Sequence, residues 1–127
     1  MKKVLVAEDE ESIREFIVIN LTRSGYTVEQ AENGAVALEK FAKDESGFDV
    51  AILDIMMPGM DGLEFVKELG GRFPVIIITG NATLNRAIDS IRLGVRDFIT
   101  KPFEIQTLIG AIQKASEAKE TPAQQNT

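Results

Sequence analysis

A doubly wound α/β sandwich is the fold this chain predicts, and three observations carry the prediction. Strand-like and helix-like segments alternate from one end to the other, the pattern of a parallel sheet with helices on its faces. The runs Val50-Ala51-Ile52-Leu53 and Val75-Ile76-Ile77-Ile78 are unbroken and apolar, as expected of strands buried on both faces. Five strand–helix repeats fit within 127 residues, whereas a closed eight-fold barrel would need roughly twice that length.

Each element has its own local reason. Strand 1 is predicted from about Lys3 to Ala7, and a helix from about Glu11 to Ser24 carries Ile13, Phe16, Ile17 and Leu21 at helical spacing, with Gly25 as its stop. Strand 2, about Thr27 to Ala31, is the most polar of the five and is expected at an edge. A second helix, about Gly34 to Lys43, presents Ala37, Leu38 and Phe41. Strand 3 spans Val50 to Leu53. The turn-rich loop after it, Met57-Pro58-Gly59-Met60-Asp61-Gly62, contains a Pro-Gly pair suited to a type II turn. A short helix about Leu63 to Leu69, strand 4 from Val75 to Ile78, and a fourth helix about Thr83 to Leu93 follow. Strand 5, near Asp97 to Thr100, and a last helix, about Glu104 to Ala118, close the pattern. Residues 1–118 therefore read as one domain, and 119–127, with no large apolar residue, as a flexible tail or the start of a linker.

Composition excludes several functions. With 44% hydrophobic and 27% charged residues the chain reads as globular. A net charge of −6 argues against direct binding of nucleic acid or of an anionic membrane surface. No apolar run approaches the roughly 20 residues of a spanning helix. The start, Met1-Lys2-Lys3, leads straight into a strand-like run rather than a signal-peptide core. Having no cysteine excludes a disulfide framework and thiolate chemistry, and fits a cytoplasmic location. Having no histidine excludes a histidine base, ligand or phosphohistidine.

Polar clusters stand where four of the predicted strands end: Glu8-Asp9, Asp54, Thr79 and Lys101. In a parallel sheet these ends lie side by side, at the edge where open α/β sheets bind ligands. Three carboxylates, a hydroxyl and an ammonium would then share one pocket. At an effective dielectric of about 20, two carboxylates about 5 Å apart repel by roughly 3 kcal/mol. Lys101 offsets one charge only, so the pocket needs a divalent cation or some protonated carboxyls. Oxygen-only ligands favour Mg²⁺, Mn²⁺ or Ca²⁺, and a few carboxylates with positions left for water and phosphate suit Mg²⁺ best. Asp54, ending a central strand, is placed to attack phosphorus and carry an aspartyl phosphate. The cation and Lys101 would neutralise the equatorial oxygens, Thr79 would donate to one of them, and Gly80 would leave room. Singly, each residue has a plainer reading: a helix cap for Asp54 or Thr79, a dipole partner for Glu8-Asp9-Glu10, a solvated loop lysine for Lys101. Their common position at one end of the strands is what favours a site.

These residues resemble the receiver domains of two-component response regulators, over nearly the whole chain from Lys3 to about Ala118. The pieces that carry the resemblance are Val4-Leu5-Val6-Ala7-Glu8-Asp9-Glu10, Asp54-Ile55-Met56-Met57-Pro58-Gly59-Met60-Asp61-Gly62, Ile78-Thr79-Gly80 and Asp97-Phe98-Ile99-Thr100-Lys101-Pro102-Phe103. The resemblance implies a flavodoxin-like (βα)5 sheet of order 2-1-3-4-5, with the site at its topological switch point. It implies Asp54 as phosphoacceptor, Asp9 as direct Mg²⁺ ligand, Glu8 as the neighbouring acid and the Met56 backbone carbonyl as a further ligand; Mn²⁺ would also serve. It implies phosphate contacts from Thr79 and Lys101, a cis Lys101–Pro102 peptide, and a switch in which Phe98 turns inward as Thr79 moves. The phosphoryl donor would be a sensor histidine kinase or phosphotransfer protein. The output would pass through the face of the fourth helix, strand 5 and the last helix, where Asn85, Arg86, Asp89, Arg92 and Arg96 would meet an output domain, a partner protein or a second copy. The chain would be no enzyme beyond catalysing its own phosphorylation and dephosphorylation. Glu8 departs from the aspartate of many relatives but keeps the role.

Three rival readings are weaker. A haloacid-dehalogenase phosphohydrolase places its nucleophile after strand 1 with a second aspartate two residues on, but Asp9 is followed by Glu10-Glu11. A flavodoxin-like electron carrier needs a Ser/Thr/Gly-rich loop after strand 1, where this chain is acidic. A phosphorylation-independent interaction module on the same fold is the runner-up, although such domains usually lose pocket residues and none is missing here. The residues flanking the site, Met56 and Asn81, are the positions thought to tune hydrolysis. Because a Met56 thioether cannot orient an attacking water, the phosphoryl group should be long-lived, and Met56→Asn should lose it faster. Hydrolysis rates of the two proteins would decide; an equal or slower variant counts against the expectation.

Overall fold

Alternate residues along the central strands point to opposite faces and build two separate cores. A computed structural model of the chain describes residues 2–43, 47–54, 66–68, 74–80 and 95–120. Five strands, β1 (Lys3–Ala7), β2 (Thr27–Ala31), β3 (Val50–Asp54), β4 (Val75–Thr79) and β5 (Asp97–Thr100), form one sheet. Its order is β2-β1-β3-β4-β5 and every pair is parallel. The chain therefore steps outward from β1 in both directions, and the reversal falls between β1 and β3. That is the predicted doubly wound sandwich.

One face is covered by α1 (Glu11–Arg23) and the C-terminal helix (Ile105–Glu120). Ile17 and Leu21 of the first pack with Leu108, Ala111, Ile112 and Ala115 of the second, over Val4, Val6, Val50, Ile52, Ile76 and Ile78. The other face carries α2 (Gly34–Lys43), whose Ala37 and Phe41 pack on Leu5, Ala7, Ala51, Leu53 and Ile77. Burying a side chain such as Ile17 or Leu21 fully contributes about 1.5–3 kcal/mol. β3 and β4 are buried throughout, which is why their sequences are continuous apolar runs rather than alternating ones. β2 lies at one edge and is the most polar strand, as its composition predicts.

Some bounds differ from the sequence pattern. β3 and β4 each run one residue further than their apolar runs, because Asp54 pairs with Ile78 and Thr79 with Thr100 in the backbone ladder. Backbone pairing does not require an apolar side chain. The C-terminal helix continues to Glu120, two residues past the expected end. Phe16, expected on the buried stripe of α1, is 44% exposed. Ile17 and Leu21, one turn apart, define the core line, and Phe16 stands about 100° round the helix from Ile17. The predicted fourth helix lies outside the described residues, as do the loop after strand 3, Met56, Asn81 and residues 121–127; of the predicted third helix, 66–68 are described and helical.

Helix ends follow their sequence signals. Asn33 caps α2, accepting the Val36 N–H on its side-chain oxygen at 2.9 Å. At the end of α1 the Tyr26 N–H donates to the Leu21 carbonyl and the Gly25 N–H to the Thr22 carbonyl, each at 3.1 Å. This Schellman pattern needs a left-handed residue, and Gly25 supplies it with φ of 97°. Gly25→Ala is expected to cost about 1–2 kcal/mol from the left-handed backbone alone, since no atom lies within 4 Å of the added Cβ. Urea unfolding would measure it, with Gly25→Asn expected to lose less; an unchanged midpoint would refute the strain account.

Candidate phosphoacceptor and metal site

The switch point brings together residues that are far apart in sequence. Glu8 and Asp9 leave the end of β1, and Asp54 ends the neighbouring β3. One carboxylate oxygen from each of the three lies within 4.8 Å of the others. Glu8 is completely buried, Asp54 is 5% exposed, and Asp9 is open to solvent. From the far side of the sheet, the Lys101 ammonium donates to Asp54 Oδ2 at 2.9 Å and to Glu8 Oε1.

Backbone geometry explains how Lys101 gets there. Its N–H donates to the Thr79 carbonyl at 2.8 Å, extending the β4–β5 ladder past Thr100. This ties the lysine to the strand between β3 and β5, and its side chain reaches across Thr79 towards the acids. Thr79 is buried at the end of β4. A Cβ on Gly80 would meet the Lys101 side chain at 3.7 Å, an ordinary contact. The Lys101–Pro102 peptide is cis. Phe98 is half-buried on β5, packed against the core on the α2 side, and its N–H donates to the Asp97 carboxylate at 2.8 Å.

Charge is not balanced in this pocket. Among the described residues, three carboxylates stand beside one ammonium, and Glu8 shows the strain. Burial pushes its carboxyl up from 4.5 to about 8; a hydrogen bond with the Asp54 carboxyl adds to the rise, and the Lys101 ammonium opposes it. Burial works the other way on Lys101, but its hydrogen bonds to Glu8 and Asp54 outweigh burial and raise its pKa. A hard divalent cation would relieve the repulsion directly. Among the described residues, the donors grouped there are carboxylate oxygens. That set fits Mg²⁺ or a similar oxygen-loving ion rather than zinc or copper.

Of the site residues inferred from sequence, Glu8, Asp9, Asp54 and Lys101 come together, and Thr79 stands at the adjacent strand end. Met56 lies outside the described residues. One neighbour has no signal in the sequence pattern. Arg14, on the first turns of α1, donates from Nη1 to the Glu8 carbonyl at 2.8 Å and from Nε to the Gln30 side chain at 3.1 Å. Its partners are a backbone oxygen and a residue 16 positions away, which no local spacing reveals. An apolar cleft of about 420 Å³, lined by Ile13, Phe16, Lys101, Pro102 and Phe103, opens beside the lysine.

An open parallel sheet with a lysine-bridged acid cluster at its switch point defines an α/β domain that works at the carboxyl edge of its strands. The particular family follows from comparison with known proteins: residues 4–113 match the model of the response regulator receiver domain, and the chain belongs to that family. It is 44% identical over 119 residues to the transcriptional regulatory protein FlgR of Helicobacter pylori, covering 93% of this chain and 30% of that protein. It is 38% identical over 122 residues to the alkaline phosphatase synthesis transcriptional regulatory protein PhoP of Bacillus subtilis, covering 91% of this chain and 50% of that one. The chain thus spans half or less of the length of these two relatives. Among solved structures, a receiver domain protein from Clostridium thermocellum superposes with a TM-score of 0.89 at 31% identity, covering 94% of this chain and 98% of that one. The response regulator TrrA from Thermotoga maritima, solved in complex with Mg²⁺ and BeF, gives a TM-score of 0.80 at 33% identity, covering 91% and 99%.

The charge imbalance has a measurable consequence without metal. At pH 9, above the raised Glu8 pKa of about 8, the attraction of the Asp54 carboxylate to Lys101 at 2.9 Å is roughly 6 kcal/mol at an effective dielectric of about 20. Its repulsion from two acids within 4.8 Å totals roughly 7 kcal/mol on the same scale. These nearly cancel, so the desolvation of a buried carboxylate decides. Asp54→Asn should therefore stabilise the metal-free protein by about 1–2 kcal/mol. Urea unfolding in EDTA would read this as a higher midpoint; a lower midpoint would show that the lysine pairing dominates.

Proposed function

We propose that this receiver domain takes a phosphoryl group onto Asp54 in a two-component signalling pathway. The observation that carries the proposal is the lysine bridge between Glu8 and Asp54 at the switch point, with Asp9 beside it. Asp54 is the nucleophile of choice among the three acids. It ends a strand buried on both faces, and the ammonium already holds its Oδ2. An ionised carboxylate needs no base. One carboxylate oxygen forms the new bond to phosphorus as the bond to the donor breaks, and the donor nitrogen leaves with that electron pair and takes a proton from water. The phosphoryl donor would lie outside these 127 residues, on a sensor histidine kinase or a phosphotransfer protein, because none of them is a histidine.

Glu8, Asp9 and Asp54 would hold Mg²⁺, with Mn²⁺ as a substitute, and the Met56 carbonyl would add a ligand. Bound there, the ion supplies charge neutralisation for the transferring phosphoryl oxygens. Lys101 would move its ammonium from the free carboxylate to a phosphoryl oxygen, and the Thr79 hydroxyl would donate to a second. Both contacts exist only in the phosphorylated state and would bias the domain between two conformations. Shifting such an equilibrium from mostly one state to mostly the other takes up to about 5.5 kcal/mol of differential stabilisation. Phe98, on β5 next to β4, is the side chain we assign to that change. The output face would comprise the predicted fourth helix, β5 and the C-terminal helix, meeting an output domain, a partner protein or a second copy. The only reaction catalysed would be the domain's own phosphorylation and dephosphorylation. No helix among the described residues is long and apolar enough to cross a membrane, and a cytoplasmic location suits a chain without cysteine. The receiver unit would be residues 1–118, with 119–127 leading away from it.

Incubation with acetyl phosphate, with and without Mg²⁺, followed by intact-mass measurement, tests the proposal. Wild type should gain one phosphoryl mass only when Mg²⁺ is present, and Asp54→Ala should gain none. Phosphorylation of Asp54→Ala would move the acceptor elsewhere. A wild type that never reacts while its partners still bind would favour the phosphorylation-independent module instead.

A further inference from the structure

We infer that Arg14 is a positioning residue for the metal-binding end of the site, acting through the peptide that joins Glu8 to Asp9. The inference rests on the reading above that these two acids hold Mg²⁺. Asp9 is the most exposed of the three carboxylates, so packing of its own side chain does little to aim it. What can aim it is the backbone just before it.

That backbone is held at both ends of one residue. The Glu8 N–H donates to the Ala31 carbonyl at 3.1 Å, where β1 leaves the sheet beside β2. The Glu8 carbonyl, beyond the last strand residue Ala7, accepts from Arg14 Nη1 at 2.8 Å. Fixing the N–H and the carbonyl of one residue sets the plane of the next peptide, and with it the direction in which the Asp9 side chain departs. The guanidinium is itself anchored, since Nε donates to the Gln30 side-chain oxygen at 3.1 Å. The Gln30 backbone in turn accepts from the Lys40 ammonium at its main-chain carbonyl, at 2.7 Å. The rigid fork of an arginine suits two acceptors at an angle, which the single ammonium of a lysine does not reproduce. A cleft of about 280 Å³ bordered by Arg14, Gln30, Val36 and Lys40 leaves room for a replacement side chain.

Charge and geometry make opposite predictions for Arg14, and this makes the inference testable. If Arg14 were merely a nearby cation, removing it would strengthen Mg²⁺ binding by making the surroundings more negative. If it positions Asp9, removing it weakens binding. Titration of the metal-free protein with MgCl₂, followed by calorimetry and amide shifts, should show Arg14→Met binding about tenfold more weakly, the loss typical of groups that orient metal ligands. Arg23→Met, at the far end of α1, removes the same charge and should bind no more weakly than wild type. In the metal-free protein, the Glu8 carbonyl carbon should move upfield in Arg14→Met and the Asp9 amide nitrogen should shift with it. Equal or tighter Mg²⁺ binding by Arg14→Met overturns the inference, and so does an equal loss in Arg23→Met. A wild type that binds no Mg²⁺ overturns the metal reading on which it rests. Should Arg14→Met not fold, Gln30→Met removes only the lateral anchor; a smaller loss in the same direction is expected, and unchanged affinity refutes the role.

Discussion

One ammonium group lies against two buried carboxylates, and the arrangement of the whole domain is what allows it. Lys101 is 93 residues from Glu8 and 47 from Asp54. Only a parallel sheet with β1 and β3 adjacent and β4 and β5 beyond them brings the three strand ends to one edge. A buried carboxylate without a partner would cost several kcal/mol. The pocket therefore tolerates its acids because the lysine is present, and the lysine is present because its backbone continues the β4–β5 ladder.

Under the proposed function, the same economy makes the pocket reactive rather than merely structural. A fully matched ion pair would have no reason to take up a metal or a phosphoryl group. Among the described residues three acids face one lysine, which leaves a demand for positive charge. Burial raises the Glu8 pKa most and the Asp54 carboxyl adds to the rise, so a proton can meet part of that demand. Stability and readiness pull in opposite directions at this edge of the sheet, as they do in binding sites generally.

Much of the architecture was legible because hydrophobic periodicity reports burial directly. The runs before Glu8, Asp54 and Thr79 read as strands because nearly every residue in them is buried. Gly25 marked the end of α1 because the left-handed turn there suits glycine. What periodicity could not carry were bonds to backbone atoms and contacts across distant segments. Asn33 as the cap of α2 and Arg14 as a brace on Glu8 belong to this kind. Phe16 misled for a related reason: an aromatic at roughly helical spacing looks like core, while its 100° offset from Ile17 leaves it exposed. The acid cluster was readable only as a set of strand ends; its lysine bridge spans 93 and 47 residues, which no local pattern reports.

The two-sided cores of β3 have an implication for how such a domain can vary. Asp54 follows Val50 and Ile52 in alternation, so its direction is fixed by counting along the strand. Exchanging one enclosed aliphatic for another leaves that count intact. Deleting a single residue inside β3 would reverse the parity of the residues that follow it, turning their side chains to the wrong face and swinging the terminal aspartate away from Lys101. Sequence drift in this strand is thus free in side-chain identity but closed to changes of length.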